Sequence, residues 1–442
     1  MNISNRPRAA PAAVPADMAA HRAGIADPGC VPSGVDVRRF WSAYTVSALG
    51  SGVGAGALPL AAILILQVSD WQVSLLAVLA GVAGVAVVVP LGPFIEFHRK
   101  RPAMIGADLA RFVALASVPA AAWLDVLTYP HLCLVAVTQT AATIVSNAAS
   151  HPYLKTLTPA EDRARVNSRL ETTTWTASTL GPPAGGLLVS ATGPVASVLV
   201  DAISYLLAAL GWRRIRTPEP PPPQPEQHHR RWLAEVIGGW HYIGTHPILR
   251  PLFANAQIFG GCIMASTPLI AVYLLRDLHF TPLQYGLALG IPCAAGALGS
   301  VLAPMVIRRA GLGRTLLIAG AGRCLWMSPI LLAGPGPGGL ALIIGADSAL
   351  LLCAGIFNPA FATYRMAATS NTHLSRVVGA WAMSSKLVQP ACIAGAGLLA
   401  AAAGIRTAIA VLSVALLASA VLLPWTALHS HTDNTVSEEG TR

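Results

Sequence analysis

The chain has 442 residues, of which 54% are hydrophobic and only 11% charged, with a formal net charge of +10. A soluble globular domain carries roughly 25% charged residues, so this composition excludes an ordinary soluble enzyme and requires most of the surface to face lipid. The basic residues are scattered through loops and form no clustered patch, which excludes a nucleic-acid-binding footprint.

In chain order, residues 1–37 are an Ala- and Pro-rich tail, read as disordered, without an apolar run long enough for a signal peptide. Runs of about 20 apolar residues, enough to cross a ~30 Å hydrocarbon core, follow. They fall at 40–66, 73–94, 102–123, 130–150, 168–191 and 194–212, and again at 252–274, 284–307, 315–333, 339–362, 378–402 and 405–426. Backbone in lipid must satisfy its own hydrogen bonds, so each run is predicted to be a helix. The expected organisation is a six-helix half at 38–212, a linker at 213–250, a second six-helix half at 251–426 and a tail at 427–442. The linker holds a stiff Pro220-Pro221-Pro222-Pro223 stretch. Trp232, Val236, Trp240 and Ile243 then recur at helical spacing, as in a helix lying on the membrane surface or packed under the bundle. Seven cysteines stand far apart, with no spacing that suggests a disulfide framework or a zinc site.

The chain repeats itself at an offset of 211 residues: Asn147 matches Asn358, Tyr153 Tyr364, Thr158 Thr369, Arg165 Arg376, Gly186-Leu187-Leu188 Gly397-Leu398-Leu399, and Gly193 Gly404. Six spans per half is an even number, so both halves begin on the same side and the repeats are parallel, a plan shared by transporters whose halves move against each other. With both termini placed inside, 24 of the 29 Lys and Arg residues fall on the inner side and only Arg276 and Arg406 outside. This bias places both termini in the cytoplasm of a multi-pass cell-membrane protein.

Gly92-Pro93-Phe94-Ile95-Glu96-Phe97-His98-Arg99-Lys100-Arg101, with Asp108 and Arg111 beyond it, resembles the signature loop between the second and third spans of the major facilitator superfamily. A weaker copy, Arg308-Arg309-Ala310-Gly311 and Arg314, stands in the equivalent loop of the second half. Arg165-Val166-Asn167-Ser168-Arg169-Leu170-Glu171, Gly181-Pro182-Pro183-Ala184-Gly185-Gly186 and Asp201-Ala202-Ile203-Ser204-Tyr205 are similar to the exporter branch with enterobactin-exporter-like and macrolide-efflux-like proteins. The resemblance covers about residues 38–426 and departs from the pattern at Phe97, Ala177 and Ser51, the last standing where many relatives have a first-span acid.

The resemblance implies an all-α membrane protein of the major facilitator fold, working as a proton-coupled antiporter. Its substrate would be an amphiphilic small molecule such as a drug, antibiotic or siderophore, its energy the proton gradient, and its state monomeric, without cofactor, metal or catalysis. Uptake or facilitated diffusion, and a transporter-like scaffold without transport, remain alternatives. The resemblance also implies a latch, holding the inner side closed in the outward-facing state, built on Gly92, Glu96, Arg101, Asp108 and Arg111. The glycines and proline of Gly181-Pro182-x-x-Gly185-Gly186 strip one helix face of side chains and one backbone donor, allowing close approach and a bend.

Charges inside a span are costly and mark functional candidates. Asp108, Arg111, Asp201 and Arg323 fall on supporting helices and are expected to pair structurally. Lys386 lies some ten residues past the inner edge of its span, roughly 15 Å deep at 1.5 Å per residue, and Glu171 and Asp347 are its expected partners. Gln139, Asn147, Asn255, Gln257 and Gln389 are expected to add polar lining to the substrate pocket.

Overall fold

The computed structural model describes residues 34–96, 98–159, 162–219, 232–370 and 373–425. The expected tail segments 1–33 and 426–442, the Pro-rich part of the linker, Phe97 and the side chain of Glu96 therefore lie outside the described residues. Every regular element among the described residues is helical. Span one is Gly34–Val53 plus Ala57–Leu64, and spans two to six are Asp70–Glu96, Lys100–Trp123, Tyr129–Leu157, Arg163–Thr192 and Pro194–Arg213. A linker helix, Trp232–Thr245, precedes span seven (Leu249–Val272, continued by a π turn Tyr273–Asp277) and span eight (Pro282–Ala310). Span nine (Leu312–Leu325, with a 3-10 turn Ser328–Leu332) and spans ten to twelve (Pro337–Ala368, Leu374–Ala403, Ile405–Val421) complete the fold.

Among the described residues nine helices are both long and apolar enough to cross a membrane, with shorter apolar helices at Asp70–Gly84 and Ile405–Val421. Span five is long but too polar to join them, because Thr172, Thr173, Thr174 and Thr176 occupy its inner half. The sequence repeat is a structural one. Gly193 and Gly404, matched by the offset, hold the same left-handed conformation (φ 86° and 88°) and make the same tight turn, from span five to six and from eleven to twelve. Only glycine adopts that conformation without a Cβ penalty.

Span one does not run through as a single helix. Gly56 has φ 80°, the Ala55 N–H turns back to Gly52 O (3.2 Å), and Pro59 has no N–H to give the carbonyl of Ala55. The break sits between the halves. A Cβ on Gly56 would lie 2.9 Å from the ring of Tyr285 on span eight.

For description, the end of the bundle carrying most of the arginines is called the basic end and the other the far end. At the far end one continuous core takes side chains from both halves, including Leu60 and Leu76 of the first and Leu269, Tyr273, Tyr285 and Ile405 of the second. Arg276 bridges the halves there, bonding the Asp70 carboxylate and the Val68 carbonyl, and Leu283 N–H donates to Ser190 Oγ at 3.1 Å. Toward the basic end the cores are separate. Phe40, Met104, Tyr153 and Trp212 pack within the first half; Leu252, Leu316, Phe357 and Phe361 pack within the second. Among the described residues the halves share a core at the far end and have separate cores at the basic end.

The linker helix lies against the basic end of span eleven. A Cβ on Gly239 would stand 2.1 Å from the carbonyl of Arg376, Trp240 Nε1–H donates to Ser384 Oγ (2.9 Å), and Tyr242 donates to Ala368 O (3.1 Å).

Span five packs backbone against backbone on both of its neighbours. A Cβ on Gly181 would meet Gly52 Cα at 2.4 Å, one on Gly185 the Val53 carbonyl at 2.1 Å, and one on Gly186 the Pro282 carbonyl at 2.3 Å. Gly181→Leu should therefore force spans one and five apart and destabilise the protein by about 2 kcal/mol or more, the usual scale for overpacking. Gly106→Leu, where nothing lies within 4 Å, should leave thermal unfolding in detergent unchanged. Equal unfolding temperatures for the two variants would contradict the close-approach reading.

Candidate substrate and coupling site

Helix faces decide which residues line the space between the halves. On span five, Thr173, Ala177 and Gly181 face span one, while Trp175, Thr179 and Pro183 face span eight. Glu171 lies between these two faces, and its carboxylate accepts the Trp175 Nε1–H at 2.9 Å. On span eleven, Ser385 and Cys392 face span seven, and Pro390 and Gly397 face span two. Lys386 and Gln389 fall between them and point into the same space, Lys386 exposed and Gln389 half-buried. Asn147 is exposed on span four. Glu171, Lys386 and Asn147 are exposed and Gln389 is half-buried, on spans five, eleven, four and eleven respectively. Lys386 makes no ion pair with Glu171 or Asp347 among the described residues. Asp347 lies half-buried on span ten beside Cys293 of span eight, without a hydrogen bond or ion pair among the described residues.

The structure corrects two of the expected lining residues. Asn255 is 0% exposed and faces away from the cavity: its Oδ1 accepts Arg323 Nη2–H at 2.6 Å and its Nδ2 donates to Ser419 O at 2.9 Å. It supplies one hydrogen bond to a buried guanidinium that also lies over Phe357 (3.6 Å to the ring centroid) and Phe259 (4.1 Å). Gln257 is also buried, and its Oε1 accepts from Ser385 at 3.2 Å, tying span seven to span eleven.

The expected latch is internal to the first half in this conformation. Asp108 accepts Trp212 Nε1–H at 2.7 Å and lies 3.6 Å from Arg111, which donates to Ala142 O at 3.1 Å. Arg101 donates to the carbonyls of Trp212 (3.0 Å) and Arg213 (2.6 Å), and Glu219 accepts from the backbone N–H of Arg101 at 3.2 Å, closing the exposed start of span three. Gly92 sits within span two, where its neighbours lie outside the described residues.

Two features have no counterpart in the sequence expectations. A groove of about 910 Å³ is lined by Arg38, Ser42, Thr45 and Leu49 of span one and Arg169, Thr172 and Thr176 of span five. Continued along span five, that face carries the exposed Leu180 and Leu187, so the groove opens sideways toward lipid, away from the central cavity. In the second half the linker helix covers the matching flank: Arg376 and Ser384, which it touches, correspond to Arg165 and Thr173. Thr173 takes an indole N–H from Trp41 (3.2 Å), as Ser384 does from Trp240 (2.9 Å). The second feature is a buried polar group around Asp201 of span six, which sequence reasoning placed on a supporting helix. Gln139 of span four donates to it at 3.4 Å, so that expected lining residue points inward to Asp201.

A family model described as Major Facilitator Superfamily matches residues 40–357. The chain belongs to the major facilitator superfamily. This is a family of transporters, not of enzymes. No curated protein matches this superfamily member in sequence. Among solved structures it is similar to a bacterial homologue of the iron transporter ferroportin in its inward-facing state (14% identity, TM-score 0.70, 88% of this chain and 98% of that one). It is also similar to the nucleoside transporter NupG (12%, 0.67, 88% and 98%) and to a POT family transporter in complex with 5-aminolevulinic acid (12%, 0.68, 87% and 94%). The same ferroportin homologue in its outward-facing state superposes less well, at 0.59.

The burial of Asn255 and the exposure of Lys386 separate two kinds of loss. Asn255→Ala should leave Arg323 without its side-chain partner and lower stability by about 2 kcal/mol, the scale for a buried hydrogen bond to a charged group. Lys386→Ala should leave unfolding unchanged and reduce transport at least tenfold. Thermal unfolding and transport assayed on the same purified variants check both.

Proposed function

We propose that this superfamily member is a proton-coupled exporter of an amphiphilic small molecule, acting as a monomer in the cell membrane with both termini in the cytoplasm. The observation that carries the reading is the asymmetry of the core, one shared hydrophobic core at the far end and two separate ones at the basic end. Two rigid halves hinged this way are poised to rock and expose a midplane site to each side in turn. The Lys and Arg bias assigns the basic end to the cytoplasm, so the conformation is inward-open and ready to take up substrate from inside.

The chemistry of the cavity supports an amphiphilic substrate. Trp175 offers an aromatic face, Asn147 and Gln389 offer hydrogen bonds, and Glu171 and Lys386 offer one charge of each sign. Export is supported by the glycine and proline seam of span five. Gly181 and Gly185 fix it to span one, while Gly186 and Pro182 set it against span eight, where Gly286 comes close to the Pro182 carbonyl. The element that resembles the exporter branch is thus the joint between the halves.

The test is the accumulation of a panel of fluorescent amphiphiles in cells with and without the protein, before and after collapse of the proton gradient. Lower accumulation that disappears on uncoupling is the expected result. Higher accumulation with the protein would replace export by uptake, and equal accumulation for every compound would contradict the amphiphile reading.

A further inference from the structure

Between spans one, three, four and six lies a buried polar group. Asp201 is 2% exposed, and its Oδ1 has no hydrogen-bond partner. Its Oδ2 takes a long bond from Gln139 at 3.4 Å, with the Ser51 hydroxyl beside the carboxylate. The charged and titratable groups facing it are Arg111, from span three, and Tyr205, one turn along span six; spans one and four contribute Ser51 and Gln139. Arg111 lies over the Tyr205 ring (4.6 Å to the centroid), and Tyr205 shares a 2.7 Å hydrogen bond with Ser51.

The charges do not balance. Among the described residues Arg111 is the single cation for two buried carboxylates, and Asp108 is the better served, with both Arg111 and a 2.7 Å bond from Trp212. With both acids ionised one negative charge is left over in a low-dielectric interior, at a cost of several kcal/mol. A proton on Asp201 removes it.

The position of Asp201 ties that proton to the conformational change. It lies directly against the break in span one, where a Cβ on Gly54 would stand 2.6 Å from its Oδ2. Two residues on, Gly56 is capped by Tyr285 of the other half. When the far end opens, Tyr285 leaves with the second half and the break over Asp201 meets far-end water. Helix interruptions at such depth are where transporters place coupling ions.

We infer that Asp201 is the coupling-proton site, with its protonated form stabilising the far-end-closed state seen here and its ionised form favouring the far-end-open state in which water reaches the break. The inference rests on the proton-driven reading above. The step is a single O–H bond made on Asp201 with a proton from the far-end medium and broken again to the basic-end medium.

The experiment uses full-length protein in nanodiscs, with spin labels on Thr156→Cys and Met366→Cys at the basic ends of spans four and ten. Label distances are measured by pulsed electron resonance across a pH series. Wild type should show the long, basic-end-open distance at low pH and a shorter one at high pH. Asp201→Asn, which mimics the protonated form, should hold the long distance throughout, whereas Asp347→Asn should keep the wild-type response. Gln139→Leu, which removes a donor to the ionised carboxylate, should move the midpoint to higher pH and serves if Asp201→Asn fails to fold. A pH response kept in Asp201→Asn, or lost only in Asp347→Asn, would overturn the assignment of Asp201 alone, as would an unmoved midpoint in Gln139→Leu. No response in wild type would overturn proton coupling itself, and this assignment with it.

Discussion

The fold depends on the bare backbone of span five. In lipid, helices gain nothing by hiding apolar surface from one another, since the tails around them are equally apolar; association comes from close packing and hydrogen bonds. Span five supplies the packing through Gly181, Gly185 and Gly186, which place main chain on main chain against Gly52, Val53 and Pro282. Two of these contacts lie within the first half and one crosses to the second. The same few residues thus hold a half together and form the surface on which the halves meet.

A shared core at one end and separate cores at the other is a consequence of packing rigid bodies around such a joint. The polar contacts that accompany far-end closure, Arg276 with Asp70 and Leu283 with Ser190, are partly exposed and worth at most about 1 kcal/mol each. Weak rim contacts suit a transporter, because the two end states must lie within a few kcal/mol for a ligand or a proton to shift the balance. The buried charges follow another logic. Arg323 is held by Asn255 and aromatic rings in the second half, while Arg111 serves two carboxylates in the first. Each half thus buries an arginine, in different company.

Much of this was legible in the sequence because hydropathy, repeats and turn chemistry are local. The positive-φ turns at Gly193 and Gly404 follow from the 211-residue offset, and the seam of span five from glycine spacing. Azimuth was not legible. Depth along a span can be counted, but whether Asn255 turns toward a cavity or toward Arg323 depends on neighbours far away in the chain. The same limit explains why Lys386, Glu171 and Asp347 share the interior without pairing, and why Asp201 was assigned to structure. Its importance comes from the break at Gly54–Gly56, which read as part of one continuous span although Gly54, Gly56 and Pro59 were all present to signal it. Span five was drawn as an apolar run at 168–191, although its threonines leave it less apolar than the other long helices.

The most direct test of the rocking account is to tie the far ends together. A disulfide between Ser190→Cys and Leu283→Cys, residues bonded across the halves at 3.1 Å, would hold the far end closed while leaving the cavity and Asp201 intact. With any substrate found for the protein, transport in proteoliposomes should stop on oxidation and return on reduction, with substrate binding preserved. Undiminished transport by the oxidised protein would contradict the account, because substrate would then be crossing without the far end ever opening.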